Sequence, residues 1–207
     1  MPTAVKICGI TRLEDALAAA RAGADAIGLV FHAASPRYVT SARAAEIMRG
    51  LPSEVTTVGL FVNETAEEVR AVLAEAPVEL LQFHGEEPPE FCRQFGPPYV
   101  KAVRMGRGVD LVQYARNYHD AKALLLDALV EGVHGGSGVT FDWSLIPRDL
   151  SLPIILSGGL TPENVTEAVR RVRPLAVDVS SGVESAKGIK DASKIAAFIR
   201  GVRDADV

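Results

Sequence analysis

Two side chains in this sequence stand where proton transfer is plausible. Cys8 ends the apolar run AVKIC (4–8), directly before a glycine, in the stretch KICGIT. A thiol at such a place is a potential base: the thiolate is the reactive form, and an ordinary thiol pKa of about 8.5 needs only a modest depression, for instance beside Lys6, to supply it at neutral pH. Read without context, the same cysteine is a small buried hydrophobe. Asp127 closes a second apolar run, ALLLDA (123–128), where an unpaired buried carboxylate is costly. It needs a partner, as a cap or ion pair at a strand end, or a task, and partial burial is the usual way to keep a carboxyl protonated for general acid catalysis. A thiol and a carboxyl at two strand ends suggest acid–base chemistry.

Two further segments have the composition of an anion site. LSGGLTPENV (156–165) contains Gly158 and Gly159, and DVSSGVES (178–185) contains Ser180, Ser181 and Gly182. Small residues let backbone N–H groups approach an anion, and a helix beginning near Thr161 or Gly182 would add its positive end. Either loop alone is also readable as a tight turn. No GxxxxGK[ST] loop occurs, and Lys190 lies in no such context, which disfavours nucleoside triphosphate chemistry. Arg37, in SPRY (35–38), suits a two-pronged contact with a carboxylate, although a surface arginine needs no such task. The glycine-rich segment VHGGSGVTFDW (133–143) reads as a loop able to close over a ligand, or as flexible linkage. His32, His84, His119 and His134 show neither HxH nor HExxH spacing, so no metal site is expected.

The elements that must position these residues are eight apolar runs, at 4–8, 26–31, 56–62, 79–84, 99–104, 123–128, 153–158 and 176–181. They are nearly continuous rather than alternating, as in parallel strands buried on both faces. Between them lie helix starts. Thr11 with Glu14 and Thr65 with Glu68 fit a capping box, Thr161-Pro162 fits a cap followed by a first-turn proline, and Asp191 fits the cap of a last helix. Leu13, Ala16, Leu17 and Ala20 share one helical face, as do Ile195, Ala196, Phe198, Ile199 and Val202. Strand and helix are thus expected to alternate throughout. Eight units of about 26 residues predict a (βα)8 TIM barrel, a single domain over residues 1–207, in which loops after strands seven and eight are the frequent phosphate site. A doubly wound open sheet is the alternative, disfavoured because no GxGxxG turn follows the first strand. In a barrel, Cys8, Phe31, His84, Arg104, Asp127, Ser157 and Ser180 would lie at or near one mouth.

Composition narrows the class. The chain has 207 residues, 48% apolar and 23% charged, with a formal charge of -4, which gives no reason to expect nucleic acid or an anionic membrane as partner. Its apolar runs are strand-sized, well short of the roughly 18 residues of a membrane span. MPTAVKICG does not resemble a signal peptide, so a cytoplasmic protein is expected. Cys8 and Cys92 are expected to be free thiols.

KICGIT, SPRY, QFHG (82–85), LLLDA (124–128), GGSGVTFDW (135–143), LSGGLTPENV and DVSSGVE together resemble, in order and spacing, the phosphoribosylanthranilate isomerase family of tryptophan biosynthesis. The resemblance runs from Lys6 to Glu184, and its one small departure is Phe83, where leucine is more usual. It implies an Amadori rearrangement of N-(5-phosphoribosyl)anthranilate in a monomeric or homodimeric barrel, without cofactor or metal. It further implies Cys8 as general base, Asp127 as general acid, Arg37 on the anthranilate carboxylate, Gln82, His84 and Asp178 around the substrate, and phosphate on Gly158, Gly159, Ser180, Ser181 and Gly182. Three rivals remain at this point. One is a related isomerase acting on a histidine-pathway substrate, which by resemblance would carry an aspartate where Cys8 stands, so the thiol argues against it. A synthase acting on a related anthranilate phosphosugar would use a lysine as acid, and Lys6 and Lys101 sit before their strand ends, where alternation may turn them away. A non-catalytic phosphosugar-binding barrel would need neither Cys8 nor Asp127.

Overall fold

The computed structural model describes residues 2–106, 108–128 and 140–206. Eight parallel strands, β1 (Ala4–Cys8), β2 (Ala26–Val30), β3 (Thr56–Phe61), β4 (Leu80–Phe83), β5 (Tyr99–Met105), β6 (Leu124–Ala128), β7 (Ile154–Leu156) and β8 (Ala176–Val179), form a closed barrel. β8 pairs back onto β1 with Ala4 opposite Ala176 and Lys6 opposite Asp178. Every expected run is a strand, and the largest shortening is at β7, where Gly158 and Gly159 take left-handed backbone (φ 81 and 66) and turn the chain.

Side-chain alternation divides the barrel wall. Val100, Ala102, Ala123, Leu125, Ile155 and Ala176 fill the interior floor, and Cys8, Val30, Leu60 and Val62 cluster higher in the interior. The residues between them in sequence, such as Ile7, Leu29, Phe61, Phe83 and Leu126, face outward into the main core beneath the helices. Among the described residues seven α-helices lie outside: α1 (Leu13–Ala22), α2 (Ser41–Arg49), α3 (Ala66–Glu75), α4 (Pro89–Cys92), α5 (Leu111–Asn117), α6 (Val165–Val172) and α7 (Ala192–Arg203). The Thr65–Glu68 capping box forms, and Asp191 accepts hydrogen bonds from Ser193 and Lys194 at the start of α7.

Two expectations about helices need correction. Thr11 does not cap α1, because its hydroxyl donates to Gly188 O at 2.6 Å; Arg12 is the N-cap residue and its fork holds Asp15. The buried face of α1 consequently rotates to Asp15, Ala16 and Ala19, with Asp15 also accepting the Lys190 N–H. At Thr161 the chain forms a turn rather than a helix, and α6 starts only at Val165; Asn164 accepts the Thr161 N–H and donates to Gly159 O, both at 2.9 Å. Between β6 and β7 the described residues, 140–153, contain a 3-10 turn at Trp143–Leu145 and no α-helix. Pro147 and Pro153 explain why no α-helix extends from it, since proline lacks the N–H and clashes with the preceding turn. Residues 133–139 of the glycine-rich segment, including His134, lie outside the described residues. After β8 an unanticipated ribbon forms from β9 (Glu184–Ala186) and β10 (Ile189–Lys190).

The last helix buries Ile195, Phe198, Ile199 and Val202, the face expected for it, against α1, α6 and β1. Phe198 is fully buried there. Phe198→Ala should therefore lower stability by about 3–5 kcal/mol in urea unfolding, and Phe198→Leu by well under half of that. Equal stability of Phe198→Ala and wild type would contradict this account of the helix.

Candidate functional site

β1 brings two reactive side chains to one place. Cys8, 5% exposed, and Lys6, two residues earlier on the same strand face, both point into the barrel. The Lys6 ammonium lies 2.8 Å from Asp178 Oδ1 on the neighbouring β8. Gly28 of β2 makes room for them: a Cβ there would sit 2.7 Å from Cys8 Sγ and 3.0 Å from Lys6 Nζ. The expectation that alternation turns Lys6 away is thus wrong, because i and i+2 share a strand face. Lys101 does point outward, onto Glu87.

The charges here oppose one another. Burial pushes the Cys8 thiol up and Asp178 adds to this; Lys6 and Lys190 pull it down, yet the net direction is upward. The modest depression expected from Lys6 is therefore outweighed by desolvation in the free protein. Burial opposes the charge on Lys6 too, but Asp178 and the neighbouring thiol hold its pKa above the ordinary lysine value.

Asp127, three strands away around the barrel, is 4% exposed and lines the same cleft as Cys8. Its Oδ1 accepts the Ala128 N–H at 3.0 Å, and its Oδ2 lies 3.1 Å from His84 Nε2. Gln82 Nε2 is 3.0 Å from His84 Nδ1. With the amide in this orientation Gln82 donates to Nδ1, which leaves the imidazole proton on Nε2, directed at Asp127. Both ring nitrogens of His84 are therefore engaged by protein. Gln82 itself is fully buried and lines the cleft, and its Oε1 has no hydrogen-bond partner. A buried acceptor left open in a cleft is a natural place for a ligand hydroxyl.

The other side of the cleft is formed by Ser157, Gly158 and Gly159 after β7 and by Ser180, Ser181 and Gly182 after β8. A Cβ at Gly182 would collide with Leu160 O, and one at Gly158 with the Ala128 backbone N, so these loops pack main chain against main chain. Asp178, held by Lys6, also reaches Ser157 Oγ at 3.4 Å. Arg37 lines the rim, with its Nε and Nη2 donating to the two oxygens of Glu184 at 2.7 and 2.8 Å. Glu184 also accepts from the buried Lys190 at 2.9 Å. Burial pushes the Glu184 carboxyl up, but Arg37 and Lys190 hold it below the usual carboxylate range; burial pushes Lys190 down in spite of Glu184.

Two residues expected near the mouth do not line the cleft. Phe31 stacks on Phe61, ring centroids 5.3 Å apart, in the outer core, and Arg104 donates to His84 O at 3.4 Å. The sequence reading missed the apolar wall of Val30, Leu60 and Val62 beside Cys8, and the Glu184–Lys190 support of Arg37. The wall was findable by counting in twos along β2 and β3; the support depends on a ribbon with no sequence signal. His32, at the rim, pairs with Glu64 at 2.9 Å, and among the described residues no group of three or more His, Cys, Asp or Glu side chains is placed to hold a metal ion.

A family model described as N-(5'phosphoribosyl)anthranilate (PRA) isomerase matches residues 5–201. The N-(5'-phosphoribosyl)anthranilate isomerase of Nitrosococcus oceani is 58% identical over 202 residues, 98% of each chain. That of Pseudomonas aeruginosa is 59% identical over 199 residues, 96% of this chain and 94% of the relative. The crystal structure of phosphoribosyl anthranilate isomerase from Thermotoga maritima superposes with a TM-score of 0.90 at 44% identity, covering 98% of this chain and 99% of that one. A further structure of such an isomerase, in complex with reduced 1-(o-carboxyphenylamino)-1-deoxyribulose 5-phosphate, gives a TM-score of 0.86 at 43% identity over 98% of this chain and 99% of that one.

The two thiols should differ in reactivity. Cys8 faces the cleft, so its alkylation by iodoacetamide should rise with pH, with a midpoint above the ordinary thiol value of about 8.5. Replacing Lys6 by Met removes the charge that favours the thiolate and should move that midpoint further up. Cys92, fully buried and pushed up to about 12, should stay unmodified in the folded protein. Mass spectrometry resolves the two sites, and a Cys8 midpoint below the ordinary value, or one unmoved in Lys6→Met, would contradict this electrostatic account.

Proposed function

Since the chain belongs to the N-(5'-phosphoribosyl)anthranilate isomerase family and is an isomerase of tryptophan biosynthesis, we propose how its own residues carry the Amadori rearrangement. The substrate, N-(5'-phosphoribosyl)anthranilate, becomes 1-(2-carboxyphenylamino)-1-deoxyribulose 5-phosphate. The observation that carries the assignment of roles is that Cys8 and Asp127, on different strands, face one cleft whose other wall is two small-residue loops.

The phosphate sits on the loops of Gly158, Gly159, Ser180, Ser181 and Gly182, whose small residues let backbone N–H groups approach an anion. The anthranilate ring lies against Val30, Leu60 and Val62, and its carboxylate meets Arg37 through Nη1, the nitrogen that Glu184 does not engage. The open Gln82 Oε1 accepts a substrate hydroxyl, and Asp178 and His84 border the sugar. Asp127, carrying a proton, gives it to the ribose ring oxygen as the C1–O bond breaks, leaving a cationic Schiff base at C1. Cys8 as thiolate removes the C2 proton, and the resulting enolamine tautomerises to the ketone. The thiol is held up in the free protein, so the cation formed beside it, together with Lys6, is what favours the thiolate when it is needed. Acid and base are separate groups because the proton given and the proton taken belong to different atoms.

The lysine-dependent synthase reading loses support, since Lys6 is tied to Asp178 and Lys101 points out of the barrel. The chain works as one domain, residues 1–207, in the cytoplasm, as a monomer or homodimer, without nucleic acid, cofactor or metal. What supports the location is the chain's place among tryptophan-biosynthesis isomerases.

The test follows loss of the fluorescence of N-(5'-phosphoribosyl)anthranilate generated in situ. Wild type should remove it, and Cys8→Ala and Asp127→Asn should each lower kcat by about a hundred- to ten-thousandfold while inorganic phosphate still binds. Near wild-type kcat in either variant would refute the role given to that residue, and no loss with wild type would refute the activity.

A further inference from the structure

Lys101 and Glu87 form an ion pair, 2.8 Å apart, with side chains only 2% and 3% exposed. Lys101 alternates along β5 with Val100 and Ala102, which fill the barrel interior, so its chain lies on the outer face, with the ammonium 5.8 Å from the Tyr118 ring centroid. The reaction described above uses neither residue. A buried ion pair is seldom a good stabiliser, because the desolvation of two charges offsets their attraction, and apolar side chains of similar size commonly serve stability as well. Its presence directly behind the catalytic wall calls for another reason.

We propose that the Lys101–Glu87 pair is a positioning device that fixes His84 against Asp127. Gly85 follows His84, and both of its peptide groups end on the pair: its N–H donates to Glu87 Oε2 at 2.9 Å, and its carbonyl accepts from Lys101 Nζ at 2.6 Å. Phe83 O, on the other side of His84, accepts from the same ammonium at 3.4 Å. The main chain is therefore pinned on both sides of the imidazole by one charged pair. Glu87 also accepts the Asn63 N–H at 2.8 Å, and Asn63 Oδ1 accepts the Glu86 N–H at 2.6 Å, which ties the loop after β3 to the loop after β4. Asn63 holds left-handed backbone, φ 62, a conformation that asparagine adopts more readily than most residues. A Cβ on Gly85 would run into the Asn63 side-chain amide and backbone N, so the two loops pack closely. Tyr118 closes the cluster by donating to Glu87 O at 2.8 Å. What the pinned main chain delivers is the His84 ring, 3.1 Å from Asp127 and 3.0 Å from Gln82. A charged clamp suits this better than apolar packing because it is directional: the ammonium must meet carbonyls and the carboxylate must meet N–H groups, which fixes the loop in one geometry.

The proposal rests on the reading of Asp127 as general acid, so its tests begin with readouts that do not involve turnover. The double variant Lys101→Met/Glu87→Leu removes both charges together and leaves no unpaired buried ion. It should fold. The 15N signals of the His84 ring, a single Nε2–H tautomer in wild type, should change to a mixture of tautomers in the variant, and kcat should fall on the order of ten- to a hundredfold with KM nearly unchanged. A folded double variant that keeps both the single tautomer and wild-type kcat would make the pair merely structural and overturn the proposal. Loss of the single tautomer with kcat intact would support the clamp and count against Asp127 as the acid. Hydrogen exchange on the wild-type protein tests the clamp without any substitution. The Gly85 amide, although in a loop, should be as protected as the amides of β4 and β5, and exchange at the rate of an exposed loop would equally overturn the proposal.

Discussion

The contact between Lys6 and Asp178 is the point on which the rest of the structure turns. Closing eight parallel strands puts the first beside the last, and the register that pairs Lys6 with Asp178 brings an ammonium and a carboxylate to 2.8 Å inside the barrel. Two residues further along β1, the same alternation delivers Cys8 to the cleft. The ion pair therefore does three things at once. It satisfies two buried charges at the closing seam, it keeps Lys6 cationic beside the thiol, and it keeps the Asp178 carboxylate tethered so that it does not approach the thiol unneutralised. Without closure of the barrel, Lys6 and Asp178 would be 172 residues apart with no reason to meet.

Charge around the mouth follows from the same seam. Lys6 is matched by Asp178, whereas Arg37 and Lys190 share the single carboxylate of Glu184. The excess positive charge lies on the side where a phosphorylated, carboxylated substrate would place its anions, and the wall beside Cys8 is apolar. On the opposite side, Asp127 is held by His84 and a main-chain amide.

The barrel and most of the cleft were legible in the sequence because they rest on local rules. Apolar runs such as LLLDA and AVKIC become strands wherever they are buried on both faces, and a polar residue at their ends has only the mouth to go to. Gly158 and Gly159 announce a turn that needs left-handed backbone. What escaped was decided by partners distant in the chain. Thr11 has the spacing of a cap, but Gly188 claims its hydroxyl. Thr161-Pro162 has the spacing of a helix start, but Asn164 folds back to hold Gly159 and delays the helix. The direction of the Cys8 shift also depends on depth of burial, which a list of neighbouring charges does not contain.

A crystal structure of this protein with a reduced, non-reacting analogue of the product bound would test the central claim, that acid and base act from separate strands on a substrate held at both ends. The account predicts the phosphate on the main chain of the loops after β7 and β8, the carboxylate at Arg37, Cys8 Sγ beside C2, and Asp127 beside the oxygen that leaves the ring. A ligand lying in the reverse direction, with its carboxylate on Gly158 and Gly159 and C2 out of reach of Cys8, would contradict it.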